Sequence, residues 1–392
     1  MAGSVIIGGA RTPIGRMSGS LAGFSAAELG GFAIKGALER AGIAADAVDY
    51  VLMGHVLQAG GGQITARQAA VNGGIGMDVP AMTVNKVCLS GMNSIALADQ
   101  MIATGAADVV VAGGMESMTN APYLLPDARA GMRLGDKTVV DSLMYDGLFC
   151  AFDQCAMGAG TEKYAASMGL PRDAQDDLAA KSHERAARAH KDGLFDNEVI
   201  PVEIPQRKGD PIIFAEDEGV RAGTTLESLG ALRPAFDKAG NITAGNASQI
   251  SDGGAAVIVC SKEAAERLGA APIAEILASG QVAGPDASLL TQPARAIKAA
   301  LASSGIAQSD IDLYELNEAF AAGIAPMQDL GITDEVTNVN GATATATRSV
   351  PRVPGSRSTS STNWCRCGGG TGAAALCGGG GQGEALIFKA IA

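Results

Sequence analysis

The chain has 392 residues, of which 47% are hydrophobic and 18% charged, and its formal net charge is −12 at pH 7. A chain of this size buries a large core and is expected to form two or three domains. The acidic balance argues against a nucleic-acid partner, and because no apolar run reaches the length of a membrane span and no charged leader precedes the first strand, we expect a cytoplasmic protein without membrane contact.

Short β-branched runs alternate with helical stretches from the beginning of the chain. Strands are predicted at residues 4–7, 48–53 and 108–112, and helices at 26–41 and 92–104. Glycine at 53 positions and an aromatic content of only 4% favour close packing with many tight turns. The pattern predicts an α/β fold in which helices cover a largely parallel sheet.

The pattern of the first half returns in the second half at constant spacing. The corresponding segments are 33–50 with 296–313, 84–85 with 339–340, and 110–114 with 375–379. Such a match predicts two copies of one βαβ-type unit.

A more polar stretch with proline and charge clusters separates the two copies. The predicted organisation is an N-terminal half of residues 1–118 plus 246–270, an inserted loop domain of residues 119–245, and a C-terminal half of residues 271–392.

Two of the seven cysteines stand in glycine-containing motifs, one in each half. Cys88 lies in VNKVCLSG (residues 84–91), before a helix that begins near Ser90, where backbone N–H groups and the helix dipole favour a thiolate. Cys377 opens CGGGGQG, which lacks the Lys-Ser/Thr pair of a phosphate loop. Taken alone, Cys88 could be a buried structural thiol and the glycine run a tight strand turn. The odd number of cysteines argues against a disulfide framework.

These motifs, in this order, resemble the thiolase family. The further matching motifs are GGMESM (113–118), GNAS (245–248) and NEAFA (317–321). The resemblance covers nearly the whole chain except about residues 343–367, and it is nearest to the acetyl-CoA acetyltransferases. It implies a layered αβαβα core of two duplicated halves with an inserted CoA-binding loop domain. It further implies reversible Claisen condensation and thiolytic cleavage of acyl-CoA thioesters through an acyl-cysteine, without metal or cofactor, in a homodimer or homotetramer.

The resemblance assigns four catalytic residues. Cys88 would be the nucleophile, and Cys377 the acid/base that removes a proton from the methyl group of acetyl-CoA. The N–H group of Gly379 would serve an oxyanion hole. Asn317, at the end of a predicted strand at 311–316, would hold a water in a second oxyanion hole. Capping of the next helix is an alternative role for Asn317.

The resemblance also implies contacts to CoA and to the thioester. The CoA contacts would be Arg221, Ser228, Ala244 and Ser248, and the thioester channel would be lined by Met157, Phe236, Ala319 and Phe320. Taken alone, Arg221 could be an ordinary surface charge, and the four apolar residues would more often be core residues than parts of a binding site. Many biosynthetic thiolases have a histidine that contacts CoA where this chain has Ala156. An alanine has no polar group to make that contact.

The catalytic histidine of the family has no match in this sequence. His55 matches no acid/base motif, and His183 and His190 lie in a charged stretch predicted to be solvated surface. The family His-Pro would follow Gly341 closely. The residues from 343 to 367 instead contain two prolines and no helical apolar period, although the repeat requires a helix there.

A local shift of reading frame would account for this segment. GC-rich codons chosen for residues 347–364, read one base earlier, encode a His-Pro turn followed by an amphipathic helix. We therefore predict that residues 343–367 as printed are frameshifted and that the protein made carries His-Pro near position 347.

Other functions stay open on the sequence alone. A non-catalytic acyl-CoA-binding homologue follows if residues 343–367 are real as printed, and a 3-ketoacyl-CoA thiolase of longer-chain specificity is a second alternative. A decarboxylating ketosynthase is a further alternative, but such enzymes usually have a histidine in place of the second cysteine. Cys377 therefore favours a thiolase. A metal or redox site of Cys365, Cys367 and Cys377 lacks a fourth ligand at fitting spacing.

Overall fold

The computed structural model describes residues 3–320, 323–341 and 370–391. The strands in this part of the chain are β1 (Val5–Arg11), β2 (Gly15–Arg16), β3 (Tyr50–Gly54), β4 (Ala81–Val84), β5 (Val109–Ser117), β6 (Tyr123–Leu124), β7 (Val140–Asp141), β8 (Phe149–Cys150), β9 (Cys155–Ala156), β10 (Val202–Ile204), β11 (Ile212–Phe214), β12 (Ser251–Cys260), β13 (Ala274–Ala283), β14 (Leu313–Leu316), β15 (Gly370–Gly378) and β16 (Gln382–Ala390). The α-helices are α1 (Ala26–Ala41), α2 (Thr65–Asn72), α3 (Ser90–Ala103), α4 (Met157–Ser167), α5 (Arg172–Lys191), α6 (Leu226–Gly230), α7 (Lys262–Leu268), α8 (Gln292–Ser304) and α9 (Ile324–Leu330). No helix within the described ranges is long and apolar enough to cross a membrane.

Helix α1 has the bounds that its sequence predicts, because both ends are capped locally. Ser25 Oγ accepts a hydrogen bond from Glu28 N (3.3 Å), and Glu28 Oε2 accepts one from Ser25 N (2.8 Å). The helix ends at Gly42, whose φ of 67° is the left-handed conformation that glycine adopts without strain.

One mixed sheet runs through both halves in the order β14-β15-β16-β13-β1-β12-β5-β3-β4. Strands β4, β3 and β5 are parallel, as are β14 and β15, and the other neighbours on this path are antiparallel. The prediction of a largely parallel sheet is therefore wrong. Strand β16 follows β15 after the short glycine turn, and a turn that short joins only antiparallel strands.

The duplication is visible in one matched backbone contact. Asp49 exchanges hydrogen bonds with Val109: its N donates to Val109 O (2.9 Å) and its Oδ2 accepts from Val109 N (2.9 Å). Asp312 makes the same two bonds with Thr371, both 2.8 Å long. The same clamp between the same pair of elements in each half confirms the predicted repeat.

The core lies in three apolar layers that alternate with the sheet. Helices α1 and α2 cover the outer face of the first half, and α8 covers that of the second. Between the halves, Met92 and Ile95 of α3 pack with Val110 of β5 on one side and with Leu386 and Phe388 of β16 on the other. This is the layered αβαβα arrangement that the sequence predicts.

The segment between β5 and β12 contains the short strands β6–β11 and helices α4–α6. A buried ionic cluster ties it to β1: the Arg11 guanidinium lies 2.7 Å from Asp217 and 2.8 Å from Glu198. Burial alone would raise the pKa of Asp217, but the charge of Arg11 and hydrogen bonds from His190 and Arg11 outweigh it and hold that pKa well below its usual range. The predicted bounds of the loop domain, residues 119–245, stay a prediction.

Candidate active site

Cys88 lies buried in the loop between β4 and α3, directly after a strained residue. Val87 has φ of 50°, a left-handed conformation that β-branched residues rarely adopt. Asn85 Oδ1 accepts from Val87 N (3.1 Å), while Ser90 Oγ accepts from Lys86 N (2.9 Å) and donates to Val87 O (2.6 Å). These bonds hold the bend that sets Cys88 at the N-terminal end of α3.

The glycine turn of the second half packs directly on this loop. Cys377 is buried near the end of β15. A β-carbon on Gly378 would lie 2.5 Å from Leu89 Cγ, and one on Gly379 would lie 3.3 Å from Val87 Cγ1. Only glycine permits such an approach at Gly378. The structure thus brings the Cys88 loop and the Cys377 turn, which are far apart in sequence, into contact.

A buried carboxylate fastens the two motifs to each other. Glu384 of β16 is fully buried and accepts hydrogen bonds from Lys86 Nζ (3.0 Å), Asn93 Nδ2 (2.9 Å) and Gln281 Nε2 (3.1 Å). It pairs across the hairpin with Leu376, the residue before the second cysteine. Burial raises the pKa of Glu384, and its three donors partly offset that rise.

Asn317 follows β14 at the carboxyl end of two parallel strands. Its backbone N donates to Ala375 O of β15 (3.0 Å), and its side chain shares a small cavity with Cys377. Asn317 Nδ2 is buried and makes no hydrogen bond with any described residue. Helix α9 has Gly323 as its N-cap, so capping of that helix is not the role of Asn317.

Three of the predicted channel residues surround the second cysteine. Met157, Ala319 and Phe320 belong with Cys377 to one buried apolar cluster. Met157 Cε also lies 3.0 Å from the position that a β-carbon on Gly379 would take. These three residues therefore lie in one apolar cluster with Cys377, and their role in lining a thioester channel stays a prediction.

Phe236, in the inserted segment, and Ser248, in the loop before β12, both contact this cluster. Ser248 Oγ donates to Ala319 O (2.8 Å), and Ser248 N donates to the same oxygen (3.1 Å). The Phe236 ring meets the Phe320 ring edge to face, with centroids 6.2 Å apart. Phe236 is 43% exposed, so it lies at the edge of this apolar cluster.

The remaining predicted CoA residues lie on the surface around α6. Arg221, Ser228 and Ala244 are exposed. Ser228 Oγ accepts from Thr225 N (3.0 Å) and donates to Thr225 O (2.8 Å), which caps α6. No contact that the structure gives for these three residues reaches the cysteines, and their contacts with CoA stay a prediction.

A wide cavity opens beside Gly379. Its volume is about 620 Å³, and its lining includes Val87, Met157, Phe149 and Phe152. The cavity therefore lies next to both cysteine motifs, and its lining is mixed, since Gln58, Asn85 and Asp146 also face it.

His55 is held in a buried polar cluster. Its Nδ1 lies 2.9 Å from Thr65 Oγ1 and its Nε2 lies 3.2 Å from Glu116 Oε1. Glu116 also accepts from the backbone N–H groups of Val56 and Leu57. This partnering fits a structural role, in line with the absence of an acid/base motif around His55.

The expectation that His183 and His190 are solvated surface is wrong. His183 is buried, because the loop of Arg221 covers its face of α5, and its Nδ1 accepts from Arg221 N (3.3 Å). Burial, and then the positive charge of Arg221, lower the pKa of His183 to about 4. His190 is half-buried with its Nε2 3.1 Å from Asp217. A charged sequence pattern alone did not reveal the loop that covers this helix.

Sequence reasoning missed the Lys86–Glu384 contact and the bend at Val87. The one available signal was Glu384 itself, the single acidic residue of strand β16, which stands next to an apolar run. Residues 343–367, with Cys365 and Cys367, lie outside the described residues. Within the described ranges, no cluster of three or more His, Cys, Asp or Glu side chains could hold a metal ion.

Comparison with known proteins decides the family. Residues 4–263 match the family model described as "Thiolase, N-terminal domain", and residues 270–390 match "Thiolase, C-terminal domain". The chain belongs to the thiolase family. A probable acetyl-CoA acetyltransferase of Mycobacterium tuberculosis is 55% identical over 393 residues and is covered completely, as is this chain. An acetyl-CoA acetyltransferase of Escherichia coli is 48% identical over 343 residues, 87% of each chain.

A solved structure has the same fold. The crystal structure of the Bacillus anthracis acetyl-CoA acetyltransferase superposes with a TM-score of 0.92 at 34% identity, covering 100% of this chain and 99% of the other. The thiolase fold predicted from the sequence motifs is therefore confirmed.

Proposed function

We propose that this thiolase is an acetyl-CoA C-acetyltransferase, which joins two acetyl-CoA molecules, or cleaves acetoacetyl-CoA with CoA, through an acyl group on Cys88. The main support is the packing of the Cys377 turn on the Cys88 loop, which places two cysteine motifs at one site. The names of relatives 48% and 55% identical to this chain add support.

The first half-reaction transfers the acyl group. Cys88 attacks the thioester carbonyl, and the CoA thiolate leaves once the tetrahedral intermediate collapses. The N–H group of Gly379 is the proposed donor to the developing oxyanion. In the family one histidine takes the thiol proton and also faces the thioester oxygen; its place falls within residues 343–367.

The second half-reaction forms the carbon–carbon bond. Cys377 removes a proton from the methyl group of a second acetyl-CoA, and the carbanion attacks the acyl group on Cys88. Asn317 Nδ2, buried beside Cys377 and without a protein partner in the described structure, is suited to hold the water that stabilises the enolate oxygen.

CoA would reach this site across the inserted segment. Arg221, Ser228 and Ala244 are exposed around α6 and would contact the nucleotide portion, while Ser248 would lie beside the pantetheine arm. Ala156 cannot supply the contact that a histidine makes in many biosynthetic thiolases. We therefore expect weaker CoA binding, and Ala156→His should lower the KM for CoA.

Thiolysis of 3-ketoacyl-CoA substrates of increasing chain length tests the proposal. The purified full-length chain is expected to cleave acetoacetyl-CoA with CoA and to lose kcat/KM as the chain grows. Binding of acetoacetyl-CoA without turnover would instead support the non-catalytic homologue.

A longer-chain 3-ketoacyl-CoA thiolase is the second candidate, and one observation favours it. The cavity of about 620 Å³ beside Gly379 is larger than an acetyl group requires, and Phe149 and Phe152 give it apolar walls. Rising kcat/KM from four-carbon to eight-carbon substrates would select this candidate over the first.

Assembly and location are further proposals. A homodimer or homotetramer follows from the family resemblance, and a cytoplasmic location from the sequence. Sedimentation velocity of the purified chain measures the oligomeric state, and fractionation of the native cells measures the location.

A further inference from the structure

Two cysteines that have no part in the proposed chemistry face each other near the active site. Cys150 ends β8 and Cys155 begins β9, and the two residues are directly paired across this antiparallel hairpin. Both are free thiols. Only the four residues 151–154 separate them along the chain.

The hairpin geometry suits a disulfide. Directly opposed residues of antiparallel strands have side chains on the same face and α-carbons about 4.5–5.5 Å apart. Disulfides span α-carbon distances of about 4.4–6.8 Å. The α-carbon separation therefore suits a disulfide, and closure requires the β-carbons to approach from about 4.5–5.5 Å to about 3.5–4.5 Å, a small shift of two short strands.

The two thiols differ in access, which sets the order of events. Cys155 is partly exposed, whereas Cys150 is 8% exposed. Asp153 N donates to Cys150 Sγ (3.4 Å), a contact that stabilises negative charge on that sulfur during exchange. Cys155 is thus the thiol that meets an external oxidant, and Cys150 is placed to resolve the product.

We propose that Cys150 and Cys155 form a reversible thiol–disulfide site whose oxidant is a low-molecular-weight disulfide. The Cys155 thiolate attacks the external disulfide, which forms a mixed disulfide and releases one thiol. Cys150 then attacks the Cys155 sulfur and releases the second thiol. The pair loses two electrons, the external disulfide gains them, and the two cysteine protons end on the released thiols.

The site lies where its closure bears on the active-site cavity. Cys150 lines the cavity beside Gly379, and the loop it closes carries Phe152. A β-carbon on Gly380 would lie 3.0 Å from the Phe152 ring. Closing the pair fixes the loop that covers one edge of the glycine turn.

The test uses the full-length wild-type chain, equilibrated with mixtures of reduced and oxidised glutathione, quenched in acid, and alkylated with iodoacetamide after unfolding. One tryptic peptide, residues 138–163, contains both cysteines. With oxidised glutathione in excess, we expect this peptide mainly as an internal disulfide, two hydrogens lighter and without alkylation, at least tenfold above its glutathione adducts. Cys260 is the control, because burial raises the pKa of its thiol to about 12 and it should stay fully alkylated.

Two variants test the order of attack. Cys150→Ser should leave Cys155 as a glutathione adduct, and Cys155→Ser should leave Cys150 mostly alkylated. Stable glutathione adducts on the wild-type pair, or unreacted thiols under conditions that modify Cys88, would overturn the proposal. The wild-type result does not depend on the folding of either variant or on the proposed enzymatic activity.

Discussion

At the scale of single residues, Val87 shows how the chain positions the thiol of Cys88. A left-handed β-branched residue costs about 1–3 kcal/mol, and such strain persists only where neighbouring contacts impose it. Here Asn85 and Ser90 bind the backbone on both sides of the bend. The bend carries Cys88 out of strand β4 and onto the beginning of α3, so the strain is tied to the position of the proposed nucleophile.

Cys88→Ser should abolish covalent acetylation by acetyl-CoA and reduce thiolysis to background, because a serine hydroxyl at this site lacks the nucleophilicity of a thiolate. Mass spectrometry of the acid-quenched, digested protein locates the acyl group. Cys260→Ser, a change at a buried thiol of β12, is the matched control and should retain the label. An acyl group found only on another residue would contradict the assignment.

Cys377→Ala should separate the two half-reactions. Acylation of Cys88 needs no proton from the methyl group, so it should persist, while condensation should fall by roughly 10²–10⁴-fold, the usual contribution of a positioned acid or base. Rapid-quench acylation and steady-state condensation measure the two steps. If both fall equally, Cys377 does not act only in the carbon–carbon step.

At the scale of elements, Glu384 ties α3 and the Cys88 loop to the β15–β16 hairpin. Lys86→Met keeps much of the side-chain volume but leaves a buried carboxylate without its cation. Breaking a buried pair costs roughly 3–5 kcal/mol of unfolding free energy. We also expect slower acylation of Cys88, two residues away, measured in the same rapid-quench assay.

The matched control for Lys86→Met is Lys298→Met, because Lys298 and its partner Asp329 both lie on the surface, 47% and 37% exposed. An exposed pair contributes about 0–1 kcal/mol. Urea unfolding of both variants gives the comparison, and equal losses would show that Glu384 does not depend on Lys86.

Helix α5 should carry a pH dependence through His183. Its pKa in the folded protein, about 4, lies below the unfolded value of about 6.5, so the unfolded state takes up the proton first. The contribution of His183 to the free energy of unfolding should therefore be constant above pH 6.5. It should fall between pH 6.5 and 4, by on the order of 3 kcal/mol.

His183→Asn keeps an acceptor near the Nδ1 position for Arg221 N but cannot be protonated. The unfolding free energy of this variant should therefore lack the fall between pH 6.5 and 4. Urea unfolding at pH 7.5 and pH 5 measures it, with Glu184→Gln on the exposed face of the same helix as control. Asp217 does not interfere, because its depressed pKa makes its contribution fall only below about pH 4. A variant as acid-sensitive as the wild type would refute the role of His183.

Prediction from sequence succeeded where the determinants are local. Helix α1 has the predicted bounds because Ser25, Glu28 and Gly42 cap it from within. The Lys86–Glu384 contact could not be predicted in the same way, since its partners stand 298 positions apart and meet only through the fold. Burial of His183 depends on a loop that lies 38 positions further along the chain.

At the scale of the whole molecule, each of the two duplicated halves brings one cysteine to the site, Cys88 from the first half and Cys377 from the second. The loop after β4 and the turn after β15 approach each other from opposite halves, and α3 lies between the two halves. By the internal repeat, the second half requires a helix equivalent to α3. That helix corresponds to the printed residues that follow 341.

The protein actually made is therefore predicted to differ from the printed sequence between residues 343 and 367. In the first half, α3 buries Met92 and Ile95 among other side chains, at roughly 1.5–3 kcal/mol each, and losing several such residues from the second half would approach the 5–15 kcal/mol stability of a domain. We expect an intact mass different from the 39.3 kDa of the printed chain, and peptides that carry His-Pro near position 347. A folded sample with the printed mass would refute this and favour the non-catalytic homologue.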